Sequence, residues 1–227
     1  MIRIKALPWF YQAEISRTIS QEVQQHLKVR RIKTNQQIII FNGLGQKAIC
    51  KIINTNELEI LQYEQAMKNP FELRLALPYC ELKTMNHIIT QATELGCSHI
   101  DIVHTEYSCS NASHKRIQKK HIEKWHLLTT QACQQSENPY LPIISLENKL
   151  ASHIELNKNK QQVVLGFTNQ PASINKAKDT VLYVGPEGGF SPFEAELFSN
   201  AICLCTNKNV LRVETAVVSG LSIITQA

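Results

Sequence analysis

Two short stretches of this sequence carry residue types that do chemistry. The first, Gly185-Pro186-Glu187-Gly188-Gly189, follows the apolar run Val181-Leu182-Tyr183-Val184 and precedes Ser191-Pro192-Phe193-Glu194. Its glycines let the backbone approach a ligand closely and present N–H and C=O groups without side-chain bulk, which suits an adenine edge or ribose hydroxyls. An ordinary glycine-rich turn has the same composition. No Gly-Lys-Ser/Thr and no Gly-x-Gly-x-x-Gly accompanies it, so the familiar phosphate loops do not fit. The second stretch, Leu211-Arg212-Val213-Glu214-Thr215-Ala216, sets Arg212 just before an apolar run that reads as a helix. The positive end of the helix dipole makes that a poor place for a purely structural cation.

Other candidates are weaker. Cys97, His99, His104 and Cys109 lack Cys-x-x-Cys spacing and fall partly on a strand, so no metal site is expected. His87 and His126 read as residues on helix surfaces, and Cys203 and Cys205 flank Leu204 as small buried hydrophobes. Phe190 stands either over a ligand or beneath the loop as a core anchor.

The elements that must position these residues change character along the chain. The amino-terminal part reads as short strands: Ile38 to Phe41 and Ala48 to Ile53 form a hairpin through Asn42-Gly43-Leu44-Gly45, and Leu58 to Leu61 adds another strand. Ser20 to Val29 reads as a short helix with Val23 and Leu27 on one side. A small β-rich barrel ending near Met67 to Pro70 is the expected unit.

From Phe71 strands and helices alternate, which predicts a mostly parallel α/β sheet. Strands are expected at Leu73 to Leu77, Ile100 to Val103, Val163 to Phe167 and Val181 to Val184. The last two are apolar enough to be buried on both faces. Helices are expected at Thr84 to Leu95, closed by Gly96, at about Arg116 to Gln134, and at Thr215 to Gln226. Lys149 to Gln162 reads as a short helix followed by an exposed loop. Ser191 is a good N-cap, Pro192 suits the first helical position and Glu194 completes a capping box. The glycine loop therefore lies between a strand's carboxyl end and a helix's amino end, where open α/β sheets bind ligands.

Length and composition set the frame. A chain of 227 residues accommodates one medium domain and a smaller one, divided here as 1–68 and 69–227. A net charge of +5 permits an anionic partner without demanding one, and its basic residues cluster at Arg30, Arg31 and Lys33 and at Lys115, Arg116, Lys119 and Lys120. Solvated helix faces carry such clusters as readily as nucleic-acid surfaces do. Seven cysteines without regular spacing fit reduced thiols in cytosol. Met1 leads into Ile2-Arg3-Ile4-Lys5 with no apolar h-region and no membrane-length run follows, so a soluble, cytoplasmic protein is expected.

These residues together resemble a known family, the uridine-N3 methyltransferases of 16S ribosomal RNA, in the SPOUT superfamily of knotted α/β proteins. The resemblance rests on Ala92-Thr93-Glu94-Leu95-Gly96, Gln131-Ala132-x-x-Gln135-Ser136, Gly185 to Phe190 and Leu211-Arg212-x-Glu214-Thr215-Ala216. In the first domain it adds His26-Leu27, Val29 with Arg31, and Phe41-Asn42-Gly43. It covers nearly the whole chain. It implies a PUA-like amino-terminal barrel and a carboxyl-terminal domain with a trefoil knot. It also implies a homodimer that acts on the small ribosomal subunit with S-adenosyl-L-methionine as methyl donor.

Carried onto this sequence, the resemblance assigns the cofactor to Leu165, Gly185, Pro186, Glu187, Gly188, Gly189, Leu211, Thr215 and Ala216. Arg30, Arg31, Lys33, Lys115, Arg116 and Lys119 are assigned to RNA. Uracil N3 becomes nucleophilic as its proton leaves, placing negative charge on the flanking carbonyl oxygens. A guanidinium, always charged and able to donate two parallel hydrogen bonds, suits that anion. Arg212 is therefore expected to activate or position the base, with Glu214 orienting it. The sequence departs from the family at Val213, where Thr is usual, at Asn86, where an acid is usual nearby, around Asn207, where Gly is usual, and at Tyr107 and Asn138, near usual basic residues. Those last losses weaken the expected phosphate grip.

Overall fold

The computed structural model describes residues 7–108, 117–146, 149–166, 173–175, 177–204 and 209–226. They form two compact units, Met1–Lys68 with Thr130–Leu141, and Asn69–Thr129 with Pro142–Ala227. The inclusion of Thr130–Leu141 in the first unit was not legible as a composition shift.

In the first unit, β1 (Trp9–Tyr11), β2 (Gln37–Phe41), β3 (Gln46–Ile52) and β4 (Leu58–Gln65) form a sheet in the order β1-β2-β3-β4. The pairs β2–β3 and β3–β4 are antiparallel, while β1 runs parallel to β2. Helix α1 (Gln21–Val29) begins at Ser20, whose hydroxyl accepts the N–H of Val23. It turns Val23 and Leu27 into a core shared with Phe10, Ile38, Ile40 and Cys50. Gly45, in the β2–β3 turn, has φ +94°, and a Cβ there would stand 2.3 Å from the ring of Tyr140. Both backbone conformation and packing therefore demand glycine. The Tyr140 hydroxyl in turn donates to the carbonyl of Ala66 at 2.7 Å.

The second unit follows the alternation seen in the sequence. Its elements are β5 (Leu73–Pro78), α2 (Leu82–Glu94), β6 (His99–Val103), α3 (Lys119–Ser136), whose last residues cluster with the first unit, and β7 (Ile143–Leu146). They continue with α4 (Leu150–Leu156), β8 (Gln161–Leu165), β9 (Thr180–Tyr183), α5 (Pro192–Glu196), β10 (Ile202–Leu204) and α6 (Val213–Gln226). The sheet order is β10-β8-β9-β5-β6-β7, with every pair parallel. Successive strand residues point to opposite faces. Leu75, Leu77, Ile100, Ile102 and Leu182 meet α2, α6 and Trp125 on one face, while Ala76, Val164, Val181 and Tyr183 meet Leu150 and Phe198 on the other.

Helix boundaries shift modestly from the sequence reading: α2 begins at Leu82 and α3 spans Lys119–Ser136. Gly96 closes α2 with φ +83°, as its C′ position requires. Strands β1 and β7 were not foreseen. The first is only three residues long, and the second is an edge strand whose Ile143 is 58% exposed, so neither shows alternation.

Candidate functional site

Strands β5, β6 and β7 succeed one another on one side of β5, whereas β9, β8 and β10 lie on the other. The order reverses between β5 and β9, and the carboxyl ends of the strands at such a reversal are where open α/β sheets bind ligands. The glycine loop leaves β9 at this reversal. The segments after β5, β6, β8 and β10 begin at the same sheet edge, since all these strands are parallel.

Within the loop, Gly189 donates to the Pro186 carbonyl at 2.8 Å and takes φ +75°. A Cβ on Gly189 would meet nothing within 4 Å, so its requirement for glycine is conformational, and open space lies beside it. Among the described residues the backbone N–H groups of Gly185, Glu187 and Gly188 make no intramolecular hydrogen bond. Donors left unused at a partly exposed loop are available to a ligand. Phe190 packs beneath: its ring carbons lie 3.2 and 3.3 Å from where a Cβ on Gly185 would sit, and its ring centroid is 4.9 Å from that of Phe198. It is the core anchor of the loop rather than its cover.

The capping box read from Ser191 and Glu194 is present, with the Ser191 hydroxyl accepting the Glu194 N–H and the Glu194 carboxylate accepting the Ser191 N–H at 3.0 Å. The other carboxylate oxygen accepts the N–H of Glu106 at 2.8 Å, tying the loop after β6 to the start of α5. In that loop, the Thr105 carbonyl accepts the Ser108 N–H and hydroxyl, and Tyr107 packs against Gly188.

Arg212 is exposed, and among the described residues no ion pair or hydrogen bond joins its side chain to Glu214. Glu214 lies in the first turn of α6, where a carboxylate complements the dipole. Leu165 and Gly220 pack together: a Cβ on Gly220 would stand 2.9 Å from Leu182 and 3.2 Å from Leu165, so glycine lets α6 lie close to β8 and β9. Leu211 and Ala216 are half-buried and Thr215 is exposed.

The departures are absorbed locally. Val213 is buried in the helix–sheet core. The Asn86 carboxamide oxygen accepts the Trp125 indole N–H at 3.1 Å, anchoring α3 on α2. Asn138 accepts the Tyr140 N–H at 3.0 Å and forms a turn. Asn207 lies outside the described residues.

Arg30, Arg31 and Lys33 are exposed together after α1, with the Arg30 guanidinium 5.4 Å from the Phe10 ring centroid. Lys119 is exposed and paired with Glu123 at 3.8 Å. Lys115 and Arg116 lie outside the described residues, as do Cys109 and Cys205. Among the described residues no group of three or more His, Cys, Asp or Glu is placed to hold a metal ion, and Cys97 is buried in the core.

A buried polar network with no motif of its own in the sequence joins β5, β6, β7 and α4. Arg74 grips Asp101 with Nε at 2.9 Å and Nη2 at 3.2 Å, Ser145 donates to the same carboxylate, and His153 meets it through Nε2 at 3.1 Å. The His153 contact places the ring proton on Nε2. Burial opposes the charge on Asp101, but the hydrogen bonds from His153, Arg74 and Ser145 outweigh it and hold the carboxyl well below the usual carboxylate range. The available signal was an acid inside the apolar strand His99-Ile100-Asp101-Ile102-Val103. The network binds α4 to β5, β6 and β7.

A family model described as an RNA methyltransferase domain matches residues 67–225, and one described as an RNA methyltransferase PUA domain matches residues 19–61. The ribosomal RNA small subunit methyltransferase E of Aquifex aeolicus is 29% identical over 211 residues, covering 88% of this chain and 90% of the relative. That of Bacillus subtilis is 24% identical over 223 residues, covering 90% and 87%. Among solved structures, the ribosomal RNA small subunit methyltransferase E of Neisseria gonorrhoeae bound to S-adenosyl methionine aligns with a TM-score of 0.83 at 20% identity, covering 97% of this chain and 98% of that one. A methyltransferase of Legionella pneumophila in complex with the same cofactor aligns at 0.81 with 23% identity and equal coverage. These structural likenesses show the shared fold.

Proposed function

Because this chain belongs to the RNA methyltransferase family, we propose that it transfers a methyl group from S-adenosyl-L-methionine to N3 of a uridine in the 16S RNA of the small ribosomal subunit. The relatives named above supply the substrate class, and they match nearly the whole chain. The observation that carries the reading is the glycine loop at the strand-order reversal, whose unused N–H groups fit the acceptors of an adenosyl group.

The cofactor supplies an electrophilic methyl on a sulfonium centre. Gly185, Pro186, Glu187, Gly188 and Gly189 would hold it through the backbone, with Leu165, Leu211, Thr215 and Ala216 completing its surroundings. The chain's task is alignment and exclusion of water, since an oriented encounter lowers the barrier without covalent help. Arg212, exposed and without a carboxylate partner among the described residues, is free to donate to the uracil carbonyl oxygens as N3 loses its proton to water. Glu214 acts through the helix start rather than by pairing with Arg212 in this state.

Residues 1–68 serve to grip RNA and residues 69–227 to transfer the methyl group. Exposure of Arg30, Arg31 and Lys33 supports the first role, and Lys119 offers a further cation. Insertion of β9 between β8 and β5 supports a knotted path. Among the described residues no helix is long and apolar enough to cross a membrane, and a ribosomal substrate supports a cytoplasmic location.

Calorimetry with S-adenosyl-L-methionine, followed by mapping of modified uridines in ribosomal RNA from cells with and without the gene, tests the reading. Saturable heat and loss of one N3-methyluridine are expected. An assembly factor of the same fold gives no saturable heat.

A further inference from the structure

Tyr107 is an aromatic side chain 49% exposed on the loop that follows β6, beside the strand-order reversal. Exposed tyrosines are common, but this one stands on a backbone held on both sides. The preceding N–H, that of Glu106, is bound by the buried Glu194 carboxylate at 2.8 Å. The following residue, Ser108, returns its N–H to the Thr105 carbonyl at 3.2 Å. The flank of Tyr107 rests on the glycine loop: its Cβ lies 3.4 Å, and its Cδ2 3.9 Å, from where a Cβ on Gly188 would be. That contact uses the base of the side chain and leaves much of the ring to solvent. Thr105, 1% exposed, has a hydroxyl with no partner among the described residues, so the turn carrying Tyr107 also holds an unused polar group.

We propose that the ring of Tyr107 is the stacking platform that receives the target uracil beside the glycine loop, and is thus a positioning residue for methyl transfer. The inference rests on the methyltransferase reading above and adds to it how the base is held. A base removed from its stack must recover stacking elsewhere, and aromatic side chains provide it in single-stranded RNA recognition. Tyrosine suits the task because few rotatable bonds are frozen and the hydroxyl tolerates water. A phosphate contact would call for a cation, and this position has none. The unused N–H groups of Gly185, Glu187 and Gly188 face the needs of the methyl donor, leaving the ring for the acceptor.

The test compares full-length wild-type protein with Tyr107→Ala and Tyr107→Phe, using anisotropy with a fluorescent oligouridylate over a salt series and calorimetry with S-adenosyl-L-methionine. Tyr107→Ala is expected to weaken oligouridylate binding about 5- to 100-fold, the scale of one stacked base. Tyr107→Phe stays within about twofold of wild type, because stacking needs the ring and not the hydroxyl. The slope of log affinity against log salt is unchanged, because no phosphate contact is lost. Cofactor affinity is unchanged in both variants. The proposal is overturned if wild type does not bind oligouridylate, if Tyr107→Ala binds it equally well, or if Tyr107→Phe loses as much as Tyr107→Ala. A fall in cofactor affinity parallel to the fall in RNA affinity overturns it too, placing the ring in the donor's pocket. If oligouridylate binding behaves as expected while wild type transfers no methyl group to small-subunit RNA, the methyltransferase reading fails and the stacking result stands.

Discussion

The Glu194 carboxylate accepts the backbone N–H of Glu106 at 2.8 Å, although 88 positions separate the two residues in sequence. Its other oxygen caps α5 at Ser191, so one buried side chain joins the helix after the glycine loop to the loop that carries Tyr107. The loop after β6 and the glycine loop thereby keep a common register without any side-chain cation.

Glu194→Ala removes both bonds and leaves two backbone donors without their acceptor. We expect stability to fall by about 3 kcal/mol or more, since each of the two hydrogen bonds to a charged group contributes about 1.5–3 kcal/mol, while the Ser191 hydroxyl still caps the backbone N–H of residue 194. Urea denaturation measures this. Glu194→Gln keeps one acceptor oxygen and should lose less; equal stability of both variants and wild type would show that the carboxylate ties nothing together.

Arg212→Ala should leave S-adenosyl-L-methionine binding within a few fold and lower methyl transfer by roughly 100-fold or more, the scale of one lost transition-state donor. A radiolabelled methyl-transfer assay beside calorimetry separates the two effects. Near-normal turnover removes Arg212 from the mechanism.

Asp101→Ala strands buried His153 and leaves the partly exposed Arg74 only the Glu72 carboxylate at 3.5 Å. Breaking a buried charged pair by removing one partner costs about 3–5 kcal/mol, which a chemical denaturation curve resolves. The same residue sets a pH dependence. Its pKa is depressed in the folded protein, so its stabilisation is present above the unfolded value of about 4 and is lost as pH falls through the lower folded value. Wild type should lose this contribution progressively below about pH 4, and the Asp101→Ala curve should be flatter there.

Tyr183→Phe should be neutral or stabilising by about 1 kcal/mol, because the Tyr183 hydroxyl is buried without a partner among the described residues and its removal ends a desolvation cost. The ring contacts with His153 and Phe198, at centroid distances of 5.6 and 5.1 Å, are retained. Differential scanning calorimetry checks the direction; a clear drop in Tm would show that the hydroxyl has a partner in solution.

The sequence by itself determined what is local. Strand and helix periods, the Ser191 cap and Gly96 at a helix end each depend on residues within a few positions, so they marked α1, α2, α5, β8 and β9 closely. The same locality put the glycine loop between a strand and a helix and set Arg212 just before α6. Tertiary structure alone decided which distant segments meet. Whether Phe190 covered the loop or anchored it depended on Phe198 and Gly185. The grip of Arg74, Ser145 and His153 on Asp101 required β5, β6 and β7 to be neighbours, and the placing of Tyr107 on Gly188 required the loops after β6 and β9 to share one edge. Strand order creates these contacts. A periodic apolar pattern reports which face of a strand is buried and says nothing about which strand lies beside it.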